Sequence, residues 1–220
     1  MEQKFVNAVM KYLKKINKEN FLKFLINLIK SPIFYITLAA IIIDIVSKRI
    51  VAANIALHHN VTIIPNFIHI TLDYNTKGIF GLGSDSFAAR VLLVVFRALI
   101  AVILPIVYLI KCKNLKKRYK VTIMLIYAGC IGNLFDGIFN FNQGVIDWIC
   151  FDFNWFPYIF NLADSYVTVC VFLIIIFLIV DEIKELINRN RRGEFTMTPE
   201  EYEKHLKEQN EKNNNSKQSN

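Results

Sequence analysis

Two apolar stretches of this chain each carry an asparagine followed three positions later by an aspartate. The first pair is Asn133 and Asp136, and the second is Asn161 and Asp164. Ionisable residues in segments apolar enough to cross a membrane are costly and usually face the interior of a helix bundle, so they mark candidate functional sites. A third carboxylate, Asp147, lies in the connection between the two stretches. Carboxylates brought to one place can perform acid–base chemistry on a peptide bond.

This chemistry would be that of an aspartic protease. Two carboxylates held close together cannot both ionise, so one keeps its proton and the other serves as a base. The base activates a water molecule, while the acid protonates the carbonyl oxygen and later the leaving amine. The sequence has no Ser–His or Cys–His set in a suitable context for a different nucleophile.

Metal and cofactor sites are not indicated by the sequence. The three histidines of the first connection, His58, His59 and His69, have no carboxylate or cysteine at metal-ligand spacing. The cysteines are far apart and show neither metal nor redox spacing. They are Cys112, Cys130, Cys150 and Cys170. We therefore expect no metal and no cofactor.

The composition predicts an integral membrane protein. Of the 220 residues, 54% are hydrophobic and 18 are Phe, which is too apolar for a soluble domain of this length. Apolar runs of about twenty residues predict four membrane-spanning helices. They lie at about residues 32–53, 87–110, 121–139 and 158–180. Residues 54–86 are β-prone and rich in turn residues, so the predicted fold is an all-α membrane protein with a small extracytoplasmic β-cradle.

The distribution of basic residues predicts the topology. Lys and Arg are concentrated in the N-terminal segment, in the loop after the second span and after the fourth span, so both termini are expected in the cytoplasm. This pattern accounts for the net charge of +8, and we expect no nucleic-acid partner. Residues 31–182 would form the membrane domain. Residues 1–30 would form a basic amphipathic segment and residues 183–220 a polar tail, both cytoplasmic.

This topology brings the intramembrane polar residues to one depth. Asp44 and Lys48 lie four positions apart in the second half of the first span, in the order that favours a helical ion pair. All the intramembrane acids then fall near the outer surface of the membrane. Convergence at one depth indicates a single site.

Four blocks of the chain resemble, in the same order, motifs of the lipoprotein signal peptidases, bacterial membrane enzymes that remove signal peptides from prolipoproteins. The blocks are Asp44-Ile45-Val46-Ser47-Lys48, Asn75-Thr76-Lys77-Gly78-Ile79-Phe80-Gly81, Gly132-Asn133-Leu134-Phe135-Asp136 followed by Val145-Ile146-Asp147-Trp148, and Phe160-Asn161-Leu162-Ala163-Asp164-Ser165. The resemblance covers about residues 32–180, and its last two blocks are the most specific.

The resemblance implies a membrane aspartyl endopeptidase whose catalytic dyad is Asp147 and Asp164. Its substrates would be prolipoproteins carrying a diacylglyceryl-modified cysteine, cleaved before that cysteine at the extracytoplasmic face of the bacterial cell membrane. Membrane lipids would be the other partner. The remaining residues would have supporting roles: Asn133 and Asn161 would orient the dyad or the scissile peptide, Asn75 would face the substrate, Asp136 would hold the third helix, and Asp44 and Lys48 would be structural.

The chain departs from the family pattern at three places. Gly137 stands where the family has Arg, and Lys77-Gly78-Ile79 replaces a Gly-Ala-Ala segment of the cradle. We hypothesise that Arg90 or Arg97, on the second span, supplies the missing positive charge. The segment from Asp136 to Asp147 is also about two residues longer than is usual in the family, which leaves Asp152 as an alternative to Asp147 for the catalytic acid.

Two other functions remain open from the sequence. A catalytically impaired relative that binds lipid-modified precursors would be consistent with Gly137 and the altered cradle. An ion-coupled transporter would also need intramembrane acids. However, no acid is predicted in the middle or the inner half of the membrane, and no inverted repeat is visible.

Overall fold

The computed structural model describes residues 26–78 except residue 28, residues 86–193 except residues 154 and 157, and scattered positions between residues 197 and 208. Most of the predicted N-terminal amphipathic segment and much of the polar tail lie outside these residues. The chain divides into two compact units, Met1–Leu173 and Ile174–Asn220. The first unit contains the helices and strands that carry the candidate site.

Four long helices dominate the described chain. They are α1 (Pro32–Asn54), α2 (Phe87–Lys111), α3 (Lys117–Phe139) and α4 (Leu162–Arg191). A serine caps each of the first two, because an N-cap hydroxyl can accept one of the unpaired amide hydrogens of the first turn. Ser31 accepts from the Ile33 N–H and Ser86 from the Ala89 N–H.

Three of these helices, α2, α3 and α4, are long and apolar enough to cross a membrane. Helix α1 has 23 residues and is also long, but it carries Asp44, Lys48 and Arg49 in its second half. Because of these charges it is not among the three candidate spans. These three apolar helices indicate a multi-pass membrane protein, while the predicted number of four spans stays a prediction.

The described sheet is antiparallel and has four strands, in the order in which they occur in the chain. The strands are β1 (Val61–Ile64), β2 (Ile68–Asn75), β3 (Val145–Phe151) and β4 (Ile159–Phe160). The first two fall within the predicted cradle at 54–86. The other two come from the connection before α4, so the fourth helix begins at Leu162 rather than at residue 158.

The pairing of β2 with β3 brings distant parts of the chain together. Asp73 pairs with Asp147 and Asn75 with Val145 at the end of the ladder. The turn into β3 requires a glycine at position 144 for two reasons. Gly144 has φ +105°, and a side chain there would collide with the Asn75 carbonyl group. The register thus places Asp147 close to the end of β2.

Helix α3 lies at the centre of the first unit and packs against both α1 and α2. Its approach to α4 depends on Gly129, because a side-chain carbon there would collide with the carbonyl oxygen of Ala163. Apolar side chains such as Leu92 on α2 and Phe172 on α4 remain exposed, at 69% and 63%. Exposed apolar faces of this kind are expected for helices that contact lipid.

Candidate active site

Asn161 connects the start of α4 to the acidic side chains. It immediately precedes the helix, and its Oδ1 accepts the N–H of Asp164 at 2.9 Å, as an N-cap asparagine does. Its Nδ2 donates to Asp147 Oδ1 at 2.6 Å and to Asn133 Oδ1 at 3.2 Å. Asn161 is fully buried. The residue that begins the helix therefore also holds a carboxylate of the sheet.

Asp147 is held by a different amide at each carboxylate oxygen. Asn161 donates to Oδ1, and Asn75 donates to Oδ2 at 2.9 Å. Asn75 is itself fixed by a turn, since its Oδ1 accepts the backbone N–H groups of Lys77 and Gly78. Asp147 is 2% exposed. Its orientation is therefore set by both the end of β2 and the start of α4.

Burial is the main cause of a raised pKa for Asp147. Removal from water disfavours the charged carboxylate, and the neighbouring Asp164 carboxylate adds to this effect. Hydrogen bonds from Asn75 and Asn161 act in the opposite direction, because they favour the ionised form. The balance raises the pKa of Asp147 to about 7. Asp147 can therefore hold a proton near neutral pH.

Asn133 joins the second carboxylate to a buried cation. Its Nδ2 donates to Asp164 Oδ1 at 2.7 Å, and its Oδ1 accepts from Lys48 Nζ at 2.9 Å. Asp164 is half-buried. The bonded pair of Asn133 and Asn161 thus has Asp164 on one side and Asp147 on the other, which brings both predicted catalytic acids to one place.

Lys48 supplies the buried positive charge of this network. Its ammonium lies 2.8 Å from Asp44 Oδ2, 3.2 Å from Asp136 Oδ2 and 2.9 Å from Asn133 Oδ1. Lys48 is fully buried, so its charge needs compensation: the two carboxylates form ion pairs with it, and Asn133 accepts its hydrogen bond.

Asp44 carries the network to α4. Its second oxygen, Oδ1, accepts the Ala163 N–H at 2.8 Å, which satisfies an amide in the first turn of that helix. Gly132 leaves the space for this carboxylate, because a side-chain carbon at that position would collide with Asp44 Oδ2. Asp44 therefore joins α1, α3 and α4.

Asp136 connects α3 to the sheet and to Arg49, which the sequence did not indicate as a site residue. Its Oδ2 accepts the Ile146 N–H at 3.3 Å, and its Oδ1 contacts Arg49 Nη2 and accepts from Asn140 Nδ2 at 3.2 Å. The available sequence signal for Arg49 was a second cation directly after Lys48 in an apolar run.

Arg97, and not Arg90, lies beside the unusual Gly137. A side-chain carbon on Gly137 would lie 3.5 Å from Arg97 Nη1. The Arg97 guanidinium also lies close enough to Asp164 and Asp147 for its charge to interact with both carboxylates. Arg90 instead donates to the Asn142 carbonyl oxygen at 2.9 Å and stacks over Phe141.

Asp152, the alternative acid, lies outside this network. Its Oδ1 is 2.6 Å from His69 Nδ1, on the opposite end of the β2–β3 ladder from Asn75. Within the described part of the chain, no group of three His, Cys, Asp or Glu side chains could hold a metal ion. The expectation of no metal and no cofactor stays a prediction.

Residues 36–180 match the family model described as signal peptidase (SPase) II. The chain belongs to the signal peptidase II family. It is 33% identical over 149 residues to the lipoprotein signal peptidase of Staphylococcus haemolyticus, covering 66% of this chain and 89% of that protein. It is also 33% identical over 143 residues to the lipoprotein signal peptidase of Pseudomonas paraeruginosa, covering 63% and 82%.

A solved structure agrees with this membership. A bacterial membrane enzyme determined by the in meso method at 2.3 Å resolution matches this signal peptidase II family member with a TM-score of 0.60 and 30% identity. The match covers 68% of this chain and 88% of that one. The family membership inferred from the four sequence blocks is therefore confirmed. Members of the signal peptidase II family are peptidases.

Replacing Lys48 by Met should destabilise this signal peptidase II family member by about 3–5 kcal/mol, because two buried carboxylates would lose their shared cation. The matched variant Arg49→Met should lower the free energy of unfolding clearly less. Arg49 is 40% exposed, and Asp136 would still be paired with Lys48. Thermal unfolding of the two variants in one detergent measures both effects. Equal losses would show that Lys48 does not hold the network.

Proposed function

We propose that this protein is a membrane aspartyl endopeptidase that removes the signal peptide from diacylglyceryl-modified prolipoproteins and cleaves before the lipid-modified cysteine. Asp147 and Asp164 would be the catalytic dyad. The observation that carries this proposal is the hydrogen-bonded pair of Asn133 and Asn161, which binds one acid on each side. The named activity of the relatives, lipoprotein signal peptidase, supports the choice of substrate.

The two acids would divide the chemistry according to their surroundings. Asp147, buried and with its pKa raised to about 7, would donate a proton to the carbonyl oxygen of the scissile peptide. Asp164, half-buried and accepting from Asn133, would take a proton from the attacking water. Water addition gives a tetrahedral diol. When its C–N bond breaks, the proton held by Asp164 passes to the leaving amine, and one diol hydroxyl returns a proton to Asp147 as the new carboxyl group forms. Asp164 is then again a carboxylate and Asp147 again a carboxylic acid.

The membrane arrangement that fits this function has four spans with both termini in the cytoplasm. Helix α1 would be the fourth span, because 23 residues extend about 34 Å and its charges are paired internally. The site would then lie at the extracytoplasmic face of the bacterial cell membrane, in a domain formed by residues 31–182. Exposed apolar faces of the helices would contact the acyl chains of the substrate, and residues 1–30 and 183–220 would be cytoplasmic.

Arg97 would replace the cation that the family carries after Asp136. Its guanidinium lies against Gly137, where the family side chain would begin, and its charge interacts with both Asp164 and Asp147. A cation at this place would favour the ionised member of the dyad. This proposal keeps Gly137 consistent with an active enzyme.

Asp147→Asn and Asp164→Asn should each reduce cleavage of a diacylglyceryl-modified prolipoprotein by about 10²–10⁴-fold, since each removes a proton-transfer group. Purified variants in detergent are compared with wild type, and the product is identified by mass. Asp152→Asn is the matched control and should cleave normally, because Asp152 contacts His69 outside the network.

Two outcomes would contradict this assignment. Cleavage that survives Asp147→Asn but disappears in Asp152→Asn would move the dyad to Asp152. A folded wild-type protein that binds the precursor without cutting it would instead identify a catalytically impaired member of the family.

Arg97→Leu should lower the cleavage rate by about 10²-fold while leaving membrane insertion unchanged, because a preorganised charge next to the reacting groups is lost. Arg90→Leu is the matched control on the same helix and should have little effect on the rate. Both rates are measured on membranes containing equal amounts of protein. Unaffected cleavage by the two single variants and by the double variant would exclude the role proposed for a cation of α2.

Cleavage should fall as the pH rises through about 7, because Asp147 then loses the proton that the mechanism requires. Asn75→Ala should move this decline to higher pH, since the Asn75 amide favours ionised Asp147. The measurement is kcat/KM as a function of pH for both proteins. A decline at the same pH in the two proteins would show that Asp147 does not control it.

A further inference from the structure

A cluster of aromatic rings lies around the end of β3 and the loop that follows it. We call it the aromatic cluster, and its members are Phe67, Phe151, Phe153, Trp155, Phe156, Tyr158 and Phe160. Each ring has at least one neighbour in the cluster at a centroid distance between 5.4 and 5.6 Å. Phe151, at the end of β3, joins the rings of the sheet to those of the following loop.

The aromatic cluster is not a protein core. Trp155 is 78% exposed, Phe67 42% and Tyr158 40%. The neighbouring strand β1 continues the same character, with Ile63 at 54% and Ile64 at 48%. Apolar surface of this extent on a folded protein marks a contact with a partner or a membrane.

The helices on either side of the aromatic cluster indicate that it contacts a membrane. Its loop leaves α3 at Phe139 and enters α4 at Leu162, and both helices are apolar enough to span a membrane. The intervening residues 140–161 therefore lie at a membrane surface. They contain no Lys or Arg.

The charges and the types of ring also match a lipid interface. The two acids of this connection are both engaged, Asp147 with Asn75 and Asn161, and Asp152 with His69. Trp and Tyr rings combine an apolar body with a polar group, and they are enriched where hydrocarbon meets lipid headgroups.

We propose that the aromatic cluster inserts into the headgroup–acyl boundary of the membrane and seats the sheet there, with Trp155 among the inserted rings. The consequence concerns the site. Phe151 and Asp147 lie on the same strand, four residues or about 13 Å apart. Seating Phe151 at the interface therefore sets the depth at which Asp147 meets a membrane-bound peptide.

The two tryptophans of the chain, Trp148 and Trp155, allow a direct test. The full-length protein with Trp148→Phe is placed in phosphatidylglycerol-containing vesicles whose lipids are brominated near the carbonyl end, in the middle or near the methyl end of the acyl chain. Emission from Trp155 should be lost most with bromine near the carbonyl end. It should be protected from aqueous acrylamide.

A second variant, Trp155→Phe, provides the same information if Trp148→Phe does not fold. Subtracting the signal of Trp155→Phe from that of wild type isolates Trp155 without altering Trp148, which packs beside the buried Val51, Leu72 and Ile146. The two routes should report the same depth. Trp148, observed alone in Trp155→Phe, should be quenched less by bromine.

Three results would overturn the proposal. Trp155 could be quenched by acrylamide and not by any brominated lipid, which would place it in water. Its protection could appear only after a prolipoprotein is added, which would make the cluster a substrate surface. Protection could also depend on the protein-to-lipid ratio, which would indicate a second copy of this chain. None of these readouts uses cleavage, so the proposal can fail while the proposed function holds.

Discussion

Lys48 places a positive charge at a fully buried position, and the surrounding helices are arranged to compensate it. An unpaired charge buried in this way costs several kcal/mol, so the two carboxylates and the asparagine around it must be held in place together. Each of these three side chains has a second contact. Asp44 also binds the first turn of α4, Asn133 binds Asp164, and Asp136 binds the backbone at the start of β3. A single ammonium therefore fixes the positions of α1, α3, α4 and the sheet relative to one another.

The candidate dyad lies where the sheet meets this helical network. Asp147 belongs to a strand and Asp164 to a helix, so neither secondary structure alone could bring the two together. Asn161 solves this problem because its amide has a donor and an acceptor, one used for Asp147 and the other for the first turn of α4. The different surroundings of the two carboxylates, one buried and one half-buried, are the kind of asymmetry that separates an acid from a base.

The sequence predicted the helices well because long apolar runs define them with little help from distant contacts. Helices α1 and α2 begin at Pro32 and Phe87, close to where the apolar runs begin, and the polar pairs in α3 and at the start of α4 indicated the candidate site. Strand β3 was not predicted as part of the sheet. It pairs with β2, and the contacting residues Asn75 and Asp147 are 72 positions apart in the chain, so no local sequence pattern encodes the pairing. The choice between Arg90 and Arg97 also needed the structure, since the two lie about two turns apart on one helix.

The proposed mechanism requires the buried network to hold two carboxylates with one proton between them, and it places that proton on Asp147. Infrared difference spectroscopy of the protein in detergent, with isotope-labelled aspartate, tests this directly through the carbonyl stretch of a protonated carboxyl group. We expect such a band at pH values below about 7, its loss as the pH rises, and its absence in Asp147→Asn. A band that persists unchanged in Asp147→Asn, or that is missing from wild type at mildly acidic pH, would show that Asp147 does not hold the proton.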